Sequence, residues 1–390
     1  MKYTFKDICT KIGSGATPTG GKEAYKGGDY ALVRSQNVLD YTFTTSGLAY
    51  INETQAKKLD GVKIESGDVL LNITGDSVAR ACIIPDEILP ARVNQHVAII
   101  RANNQYALNE YLLYFLQYNK QYLLSISQGG GTRSAITKKM IEDIEIDLPS
   151  IEDQLTIVNI INSISKKIEV NQQINDNLEQ QAQAAFNNII ANTTSDKTVQ
   201  LSEIAWLNPK RSISKGKVVR SIEMAHLPTT GSFPSGWEMK EYNGGMKFQN
   251  GDTLMARITP CLENGKVAFV NFLEDDEIAF GSTEYITMTP KRQFAPEVLY
   301  FLVRNAEFID FAVKNMNGSS GRQRVSADTI GTFELPDITL EELHMLETIA
   351  REALTKIKYN SLENMRLAEM RDTLLPKLMS GELKINEIDC

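Results

Sequence analysis

The hydrophobic and polar positions of this chain follow two patterns, and both patterns occur in each half. Short apolar runs bounded by Gly, Asn, Asp and Pro predict β-strands. The clearest runs are Asp68–Thr74, Val97–Arg101, Thr253–Ile258 and Lys266–Val270. Apolar residues spaced at i, i+3 and i+4 predict amphipathic helices over Asn109–Asn119 and Pro296–Asn305. Each half therefore combines strands with a helix.

A longer periodic segment ends each half, one after Pro149 and one after Pro336. Its seam residues step alternately by four and three, which is the heptad pattern of a coiled-coil helix. The first helix is predicted over Ile151–Ile190, a length of about 60 Å. Its seam comprises Ile157, Ile161, Ile164, Ile168, Asn171, Asn175, Leu178, Ala182, Ala185 and Ile189. The second seam comprises Leu346, Ala350, Ala353, Ile357, Asn360, Asn364, Leu367, Arg371 and Leu374.

Two asparagines interrupt each seam at matching places. Polar residues at seam positions cost stability, and their best-attested role is to fix the register and the partner of a helix. Either helix taken alone is equally well explained as an ordinary bundle helix. Together the two seams predict helices that pack antiparallel about a pseudo-twofold axis, with a globular domain at each end.

The two halves also share sequence, which indicates an internal repeat. VRS occurs at Val33 and Val219, and YFL occurs at Tyr114 and Tyr300, with an offset of about 186 residues in both cases. We therefore predict an α+β fold of two similar, mixed, strand-rich domains separated by two long helices that form an antiparallel coiled coil. The predicted boundaries are 1–150 and 198–336 for the globular domains, and 151–192 and 337–390 for the helical regions.

The composition and charge of the chain exclude several classes of protein. Its 390 residues are enough for two or three domains with hydrophobic cores. No apolar run approaches the ~20 residues of a transmembrane helix, and the first residues contain no signal-peptide core, so we expect a cytoplasmic protein. A net charge of -8 argues against a protein that grips nucleic acid mainly through its own surface charge. It still permits local recognition while a partner holds the DNA backbone.

No metal-binding or catalytic motif is evident in the sequence. The four cysteines form no C-x-x-C pair, and the three histidines share no metal-ligand spacing. GATPTGGKE, at Gly15–Glu23, departs from a P-loop because a second glycine intervenes and Lys22 is followed by Glu23. Neither an amino-methyltransferase box nor a G-x-S-x-G motif is present. We therefore predict no metal, no catalytic residue and no bound cofactor in this chain.

Two glycine-rich loops occupy matching places ahead of the long helices. They are QGGGTRSAI, at Gln128–Ile136, and NGSSGRQR, at Asn317–Arg324. Glycine lets a backbone approach a surface closely, and the neighbouring Thr, Ser and Arg residues suit contacts with phosphates or base edges. Two such loops at the ends of a rigid spacer suit a long polymer better than a small ligand, and DNA fits best.

Three segments of the chain match the pattern of one known protein family. They are Lys11–Val38, Leu148–Ile174 and MRDTLLPKLMSGEL at Met370–Leu383, of which the last is the most specific. Over its whole length the chain resembles the specificity (S) subunits of type I restriction-modification systems. The three segments look like the opening of a target recognition domain, the start of the central conserved helix and the end of the second conserved region. One departure is Leu201–Gly216, which lacks the glycine-threonine-proline loop of the first half. It leaves open which residues of the second domain contact DNA first.

The resemblance implies a DNA-binding subunit that is not an enzyme by itself. Each target recognition domain would recognise one half of a split, non-palindromic target in double-stranded DNA, and the helices would set the gap. The helices would also bind two modification (M) subunits, which would carry S-adenosylmethionine and methylate adenine at N6. Restriction (R) motor-nuclease subunits would complete the enzyme. Two alternatives stay open: a self-contained DNA-modifying enzyme, and a coiled-coil assembly scaffold that does not recognise DNA.

The candidate DNA contacts are mainly arginines. A planar guanidinium can hold guanine O6 and N7, or a phosphate, with two hydrogen bonds. For each arginine taken singly, a salt bridge within the protein is about as good an explanation. In the first domain the candidates are Thr17, Arg34, Asn37, Arg80, Thr132 and Arg133. In the second domain they are Lys210, Arg211, Arg220, Arg257, Arg322 and Arg324.

Arg133→Ala is expected to weaken specific DNA binding while the chain stays folded and assembled. A lost phosphate contact would lower the salt slope of binding by about one unit, whereas a lost base contact would relax one target position by ~1–3 kcal/mol. Titration of DNA into the assembled complex at several salt concentrations measures both. Unchanged affinity, salt slope and target preference would leave this loop with a purely structural role.

Overall fold

A computed structural model describes residues 2–18, 27–128, 135–193, 195–291, 294–319 and 321–383. The chain divides into two compact units. The first unit consists of Met1–Ser165 with Ala368–Cys390, and the second consists of Lys166–Leu367. Each unit holds one globular domain together with segments of both long helices.

The elements of the two halves follow similar orders along the chain. The strands are β1 (Lys2–Thr4), β2 (Cys9–Ser14), β3 (Tyr30–Val33), β4 (Ala49–Ile51), β5 (Val69–Asn72), β6 (Ala81–Ile83), β7 (Ala91–Val93), β8 (Val97–Ala102), β9 (Glu145–Asp147), β10 (Thr198–Gln200), β11 (Ala205–Leu207), β12 (Val218–Ile222), β13 (Glu238–Glu241), β14 (Met246–Phe248), β15 (Thr253–Ala256), β16 (Val267–Phe269), β17 (Ala279–Gly281), β18 (Tyr285–Pro290) and β19 (Glu334–Pro336). The helices are α1 (Phe5–Ile8), α2 (Glu53–Lys58), α3 (Asn109–Tyr118), α4 (Lys120–Ser127), α5 (Lys138–Glu142), α6 (Ile151–Asn192), α7 (Leu201–Ile204), α8 (Pro296–Val303), α9 (Ala306–Lys314), α10 (Ala327–Gly331) and α11 (Leu340–Ser380). Short 3-10 helices cover Ser35–Asn37, Asp60–Val62 and Asp86–Ile88.

The globular domain of the first unit is built on two sheets. One sheet has four antiparallel strands in the order β2-β8-β5-β6. The other has the order β4-β3-β7, in which β3 and β7 are parallel. The strands β1 and β9 form a separate antiparallel pair, which joins the beginning of the domain to its end.

The four-stranded sheet is buried on both faces, which explains why its strands are continuously apolar. Successive side chains of a strand point to opposite faces. Along β5, Val69 and Leu71 pack in a core that includes α3, whereas Leu70 packs in a core that includes β3 and β7. Along β8, Ile100 and Ile99 divide between the same two cores. A strand with only one buried face would instead alternate between apolar and polar residues.

The globular domain of the second unit repeats this plan. Its four-stranded antiparallel sheet has the order β11-β18-β15-β16, and β10 pairs with β19. Its second sheet has the order β13-β12-β17-β14, with β12 and β17 parallel and β14 as an additional edge strand. Met255 and Leu254 of β15 face two different cores, one of which includes α8. The duplicated sheets confirm the internal repeat and the predicted α+β fold class.

The long helices contribute to the core of each unit, and they run antiparallel as predicted. In the first unit Ile161 of α6 and Leu378 of α11 are buried in the core that includes α3. In the second unit Phe186 of α6 and Leu346 of α11 are buried in the core that includes α8. The start of α6 therefore lies with the end of α11, and the end of α6 lies with the start of α11.

The buried face of each long helix departs from the predicted seam near the end of the helix. In α6 the buried residues there are Ala182 and Phe186, whereas Ala185 and Ile189 are half-buried. In α11, likewise, Leu375 is buried while the neighbouring seam residues Arg371 and Leu374 are half-buried. An undistorted helix drifts relative to a seven-residue repeat. Because these helix ends pack against a globular core, nothing forces them to keep the coiled-coil phase.

Phe186→Ala is expected to lower the free energy of unfolding by about 3–5 kcal/mol, because it opens a cavity in the core of the second unit. Ile189→Ala, at the neighbouring seam position, is expected to cost clearly less because that side chain is only half-buried. Urea unfolding of the two variants, with hydrogen exchange followed at α8, measures the difference. Equal losses of unfolding free energy in the two variants would indicate that the buried face of α6 follows the heptad seam instead.

Candidate nucleic-acid interface

In the first domain, the glycine-rich loop returns to the sheet through a short run of backbone hydrogen bonds. The amide of Ile136 donates to the carbonyl of Ile73 at 2.8 Å, and the amide of Ile73 donates to the carbonyl of His96 at 3.0 Å. Thr74 and Ala135 form an isolated antiparallel bridge beside these bonds. We call these five residues the first loop root. They join the loop to the end of β5 and the start of β8.

Polar side chains converge on the first loop root. Thr74 Oγ1 lies 2.6 Å from Nδ1 of His96, and Nε2 of His96 lies 3.0 Å from Nε2 of Gln95. The hydroxyl of the candidate residue Thr17 contacts Oε1 of Gln95. Thr17 and Gln95 are exposed, and His96 and Thr74 are half-buried. Hydroxyl, amide and imidazole groups therefore meet where this loop returns to the sheet.

Asn37 supports a turn and does not face solvent. It is 0% exposed, and its amide donates to the carbonyls of Thr44 at 3.0 Å and Ser46 at 3.2 Å. Its Oδ1 accepts the backbone amide of Arg34 at 3.1 Å. The expected DNA contact of Asn37 is therefore corrected, because its burial leaves no atom for DNA to reach. It braces the segment after β3, where the guanidinium of Arg34 also donates to the carbonyl of Gly47.

The remaining first-domain candidates fall into two groups. Arg80 is half-exposed, and within the described ranges its side chain makes no hydrogen bond or ion pair, so it is available to a ligand. Thr132 and Arg133 lie outside the described residues.

The second domain has an equivalent attachment for its own loop. The amide of Val325 donates to the carbonyl of Arg257 at 3.0 Å, and the amide of Arg257 donates to the carbonyl of Glu284 at 3.0 Å. Ile258 and Arg324 form the isolated bridge beside these bonds. These five residues are the second loop root. Each takes the place that its counterpart holds in the first loop root.

One carboxylate in the second loop root contacts two guanidinium groups. Arg324 donates to Glu284 from Nε at 2.9 Å and from Nη2 at 2.7 Å. Nε of Arg257 lies 3.5 Å from the same carboxylate. The hydrogen bonds from Arg324 lower the pKa of Glu284, which therefore stays ionised at neutral pH. The cluster keeps a net positive charge, and its two arginine side chains are 38% and 33% exposed.

Arg211 is a structural residue of the second domain. Its Nη2 donates to Asp252 at 2.8 Å and to Thr289 at 2.9 Å, and its side chain is only 7% exposed. Asp252 is fully buried and also accepts the backbone amide of Gln249 at 2.8 Å, which closes the turn before β15. The expected DNA contact of Arg211 is corrected for this reason: the side chain neutralises a buried carboxylate.

The first domain has an equivalent buried carboxylate, which is paired with an arginine from a different part of the chain. Asp68 is 0% exposed and accepts the backbone amide of Glu65 at 2.7 Å, in the turn before β5. Arg101 donates to it at 2.7 and 2.8 Å. The arginine comes from β8 here, whereas in the second domain it comes from the segment after β11. The carboxylate therefore belongs to the repeated framework, while its partner differs between the domains.

The other second-domain candidates differ in whether their side chains already contact other residues of the protein. Arg220 pairs with Glu277 at 3.0 Å and with Glu274 at 3.4 Å, and its guanidinium lies 5.4 Å from the ring centroid of Trp237. To bind DNA it would have to exchange these partners. Lys210 and Arg322 are exposed, and their side chains make no hydrogen bond or ion pair within the part of the chain that the structure describes. They are available for phosphate contacts.

Three residues lie outside the candidates chosen from the sequence: His96 and Glu284, which belong to the loop roots, and Gln95, which contacts His96. His96 and Glu284 each stand immediately before the longest apolar strand of their domain, β8 or β18. The sequence did contain a signal for them, namely a polar residue directly before an apolar run that recurs in both halves. The candidates were mostly chosen because they are glycine-rich loop residues or arginines, and that criterion does not select a histidine or a carboxylate.

In the second unit, the four predicted seam asparagines form a hydrogen-bonded layer between α6 and α11. Nδ2 of Asn171 donates to Asn364 at 2.9 Å, and Nδ2 of Asn360 donates to Asn175 at 2.8 Å. The repeat relates these two bonds, since Asn171 corresponds to Asn360 and Asn175 to Asn364. Asn171 and Asn360 are 1% and 2% exposed. Sliding one helix along the other would leave buried amides without partners, which is costly, so this layer fixes the register.

Within the described ranges, no group of three or more His, Cys, Asp and Glu side chains could hold a metal ion. No helix in those ranges is long and apolar enough to cross a membrane. The loop roots instead offer hydrogen-bond donors, acceptors and arginine cations, which are the groups that contact base edges and phosphates.

The known proteins that this chain is similar to are specificity subunits of type I restriction-modification systems. The family model described as "Type I restriction modification DNA specificity domain" matches residues 1–180. The type I restriction enzyme HindI specificity subunit of Haemophilus influenzae is 22% identical over 90% of this chain and 94% of its own length. The MjaIX specificity subunit of Methanocaldococcus jannaschii is 24% identical over 98% of this chain and 93% of its own. The crystal structure of a type I restriction-modification S subunit from M. genitalium shares the fold, with a TM-score of 0.59 at 13% identity over 97% of this chain and 95% of that one.

Asn171→Ala is expected to destabilise the helix pair by about 1–3 kcal/mol, because it removes a buried amide and leaves Asn364 Oδ1 without its donor. Replacing Asn171 and Asn364 together by leucine should recover much of this loss, since neither partner is then left unsatisfied. Thermal unfolding of the single and double variants tests both statements. Gln173→Ala, at an exposed position of α6, is the control and should change stability by less than ~0.5 kcal/mol. A double variant as unstable as the sum of its single changes would contradict the paired layer.

Proposed function

We propose that this chain is a specificity subunit of a type I restriction-modification system and that it recognises a split, non-palindromic target in double-stranded DNA. A specificity subunit is not an enzyme by itself. The observation that carries the proposal is the pair of loop roots, which share their backbone hydrogen bonds and differ in their side chains. Two different binding surfaces on one duplicated framework suit two different half-sites.

The chemistry of each loop root supports a different mode of base recognition. The first offers a hydroxyl, an imidazole and a nearby amide from Thr74, His96 and Gln95. The second offers guanidinium groups from Arg257 and Arg324. Base pairs differ in the pattern of donors and acceptors that they expose in the major groove, and arginine is suited to guanine. The two half-sites should therefore differ in sequence.

The long helices are the proposed binding surface for two M subunits, which would carry S-adenosylmethionine and methylate adenine at N6. In the second unit Met345, Ile349 and Tyr359 of α11 are 52%, 36% and 62% exposed. They fall within about 80° of arc around the helix. An exposed apolar face of this kind favours a protein partner. R subunits would then complete the restriction enzyme.

The net charge of -8 also favours a complex over an isolated chain. Non-specific affinity for DNA comes almost entirely from cations that neutralise phosphates. We therefore propose that the M subunits supply much of the backbone grip, in the cytoplasm where they meet the DNA. Base contacts would be left to the loop roots and their neighbours.

A domain exchange tests the proposal. Replacing residues 1–150 with the matching domain of a relative should change one half-site of the methylated motif and leave the other intact. The reciprocal exchange of residues 198–336 should do the opposite. Sequencing of N6-methyladenine across the genome of cells that carry the M subunit and each variant gives the motif directly.

The same measurement separates the alternatives. A palindromic motif, or an exchange that alters both half-sites together, would contradict two independent recognition domains. A complete complex without any sequence preference would favour an assembly scaffold, and methyl transfer by the purified chain alone would favour an enzyme. Adding one heptad to both α6 and α11 lengthens each helix by about 10.5 Å and should change only the gap.

A further inference from the structure

We infer that His96, immediately before β8, and Glu284, immediately before β18, are positioning residues that set which half-site each domain prefers. The inference rests on the proposed function, and it deepens it by naming one specificity-determining position per domain. Neither residue would need to touch DNA itself. Each would act by holding the side chains of its loop root in place.

The two positions are equivalent because the backbone around them is the same. The carbonyl of His96 accepts the amide of Ile73, and the carbonyl of Glu284 accepts the amide of Arg257, both at 3.0 Å. In each domain a second backbone hydrogen bond then joins this segment to the residue that follows or ends the glycine-rich loop: Ile136 donates to Ile73, and Val325 donates to Arg257. The residue at this position therefore belongs to the loop root in both domains, whichever side chain it carries.

Glu284 holds Arg324 in a defined orientation and leaves part of it available. The bonds from Nε and Nη2 to the carboxylate fix the guanidinium plane, and Nη1 donates to the carbonyl of Arg322 at 3.2 Å. A guanidinium has five N–H donors, so two of them remain for a ligand. A bidentate carboxylate contact of this kind restricts an arginine much more than a single bond does.

Arg257 lies near the same carboxylate without a hydrogen bond to it. Its Nε lies 3.5 Å from Glu284, and among the described residues its guanidinium makes no hydrogen bond. A single carboxylate cannot neutralise two guanidinium groups, so the pair keeps a net positive charge on partly exposed side chains. That arrangement suits the O6 and N7 acceptors of guanine or a phosphate.

His96 does the corresponding work in the first domain with different chemistry. Its Nδ1 lies 2.6 Å from Thr74 Oγ1, and its Nε2 lies 3.0 Å from the side chain of Gln95. The groups it orients are a hydroxyl and an amide, both of which can donate and accept hydrogen bonds. The first domain therefore presents a mixed donor and acceptor surface where the second presents guanidinium groups.

Glu284→Gln in the complete complex with M subunits tests the inference. The variant should relax one or more base positions of the second half-site, with discrimination there falling about tenfold, and leave the first half-site unchanged. Because one negative charge is removed beside two arginines, the salt slope of DNA binding should steepen by about one unit. Glu284→Asp should restore part of the discrimination.

The matched control is Glu297→Gln. Glu297 pairs with Arg351 of α11 at 3.4 Å, so this variant makes the same change of net charge without touching a loop root. It should keep the full motif. Arg324→Lys keeps the positive charge and loses the bidentate contact, so it should relax the same half-site without steepening the salt slope. His96→Ala should relax the first half-site alone.

Two results would overturn the inference while the proposed function stands. One is a wild-type motif and salt slope in the Glu284→Gln complex. The other is equal relaxation of both half-sites by Glu284→Gln or by His96→Ala, which would indicate a general loss of structure. A wild-type complex that itself shows no sequence preference would instead overturn the proposed function.

Discussion

The four-stranded sheet of each domain must bury both of its faces, and the rest of the domain depends on that constraint. Side chains alternate between the faces, so a slip of one residue would move every buried group to the wrong core. With Leu70 committed to one core and Val69 and Leu71 to the other, β5 has one possible register. The same holds for β8 next to it. His96, the residue just before β8, is therefore held at one point in the first loop root, and Glu284, just before β18, is held in the same way in the second.

A framework of this kind separates what is repeated from what can vary. The buried carboxylates Asp68 and Asp252 close the same turn in both domains, and each needs a cation because an unpaired buried charge is costly. That cation can come from either of two places in the chain, from Arg101 on a strand or from Arg211 on a loop. The buried carboxylates are thus tied to their positions by the cost of an unpaired charge, while the polar side chains at the loop roots differ between the domains.

The long helices combine two kinds of packing. In the middle of the pair, Asn171 and Asn360 are buried and satisfied by partners on the facing helix, which makes register specific at some expense of stability. Nearer the helix ends, apolar residues such as Phe186 and Leu375 join the cores of globular domains. Hydrogen-bonded asparagines therefore specify the register where the two helices contact only each other. Burial of apolar side chains provides most of the stability where a helix packs against a globular domain.

The sequence by itself determined the duplicated framework, the long helices and the polar interruption in each seam, because periodicity and repetition record which face of an element is buried. It also carried the resemblance to specificity subunits, since the matching segments extend along the chain. It did not determine which candidates face outward. Asn37 and Arg211 turned out to be internal, and Glu284 joined two arginines, one of them 40 residues away along the chain. Only the tertiary structure decided these contacts, because they depend on the path of loops between elements, and no local pattern of apolar and polar residues encodes that path.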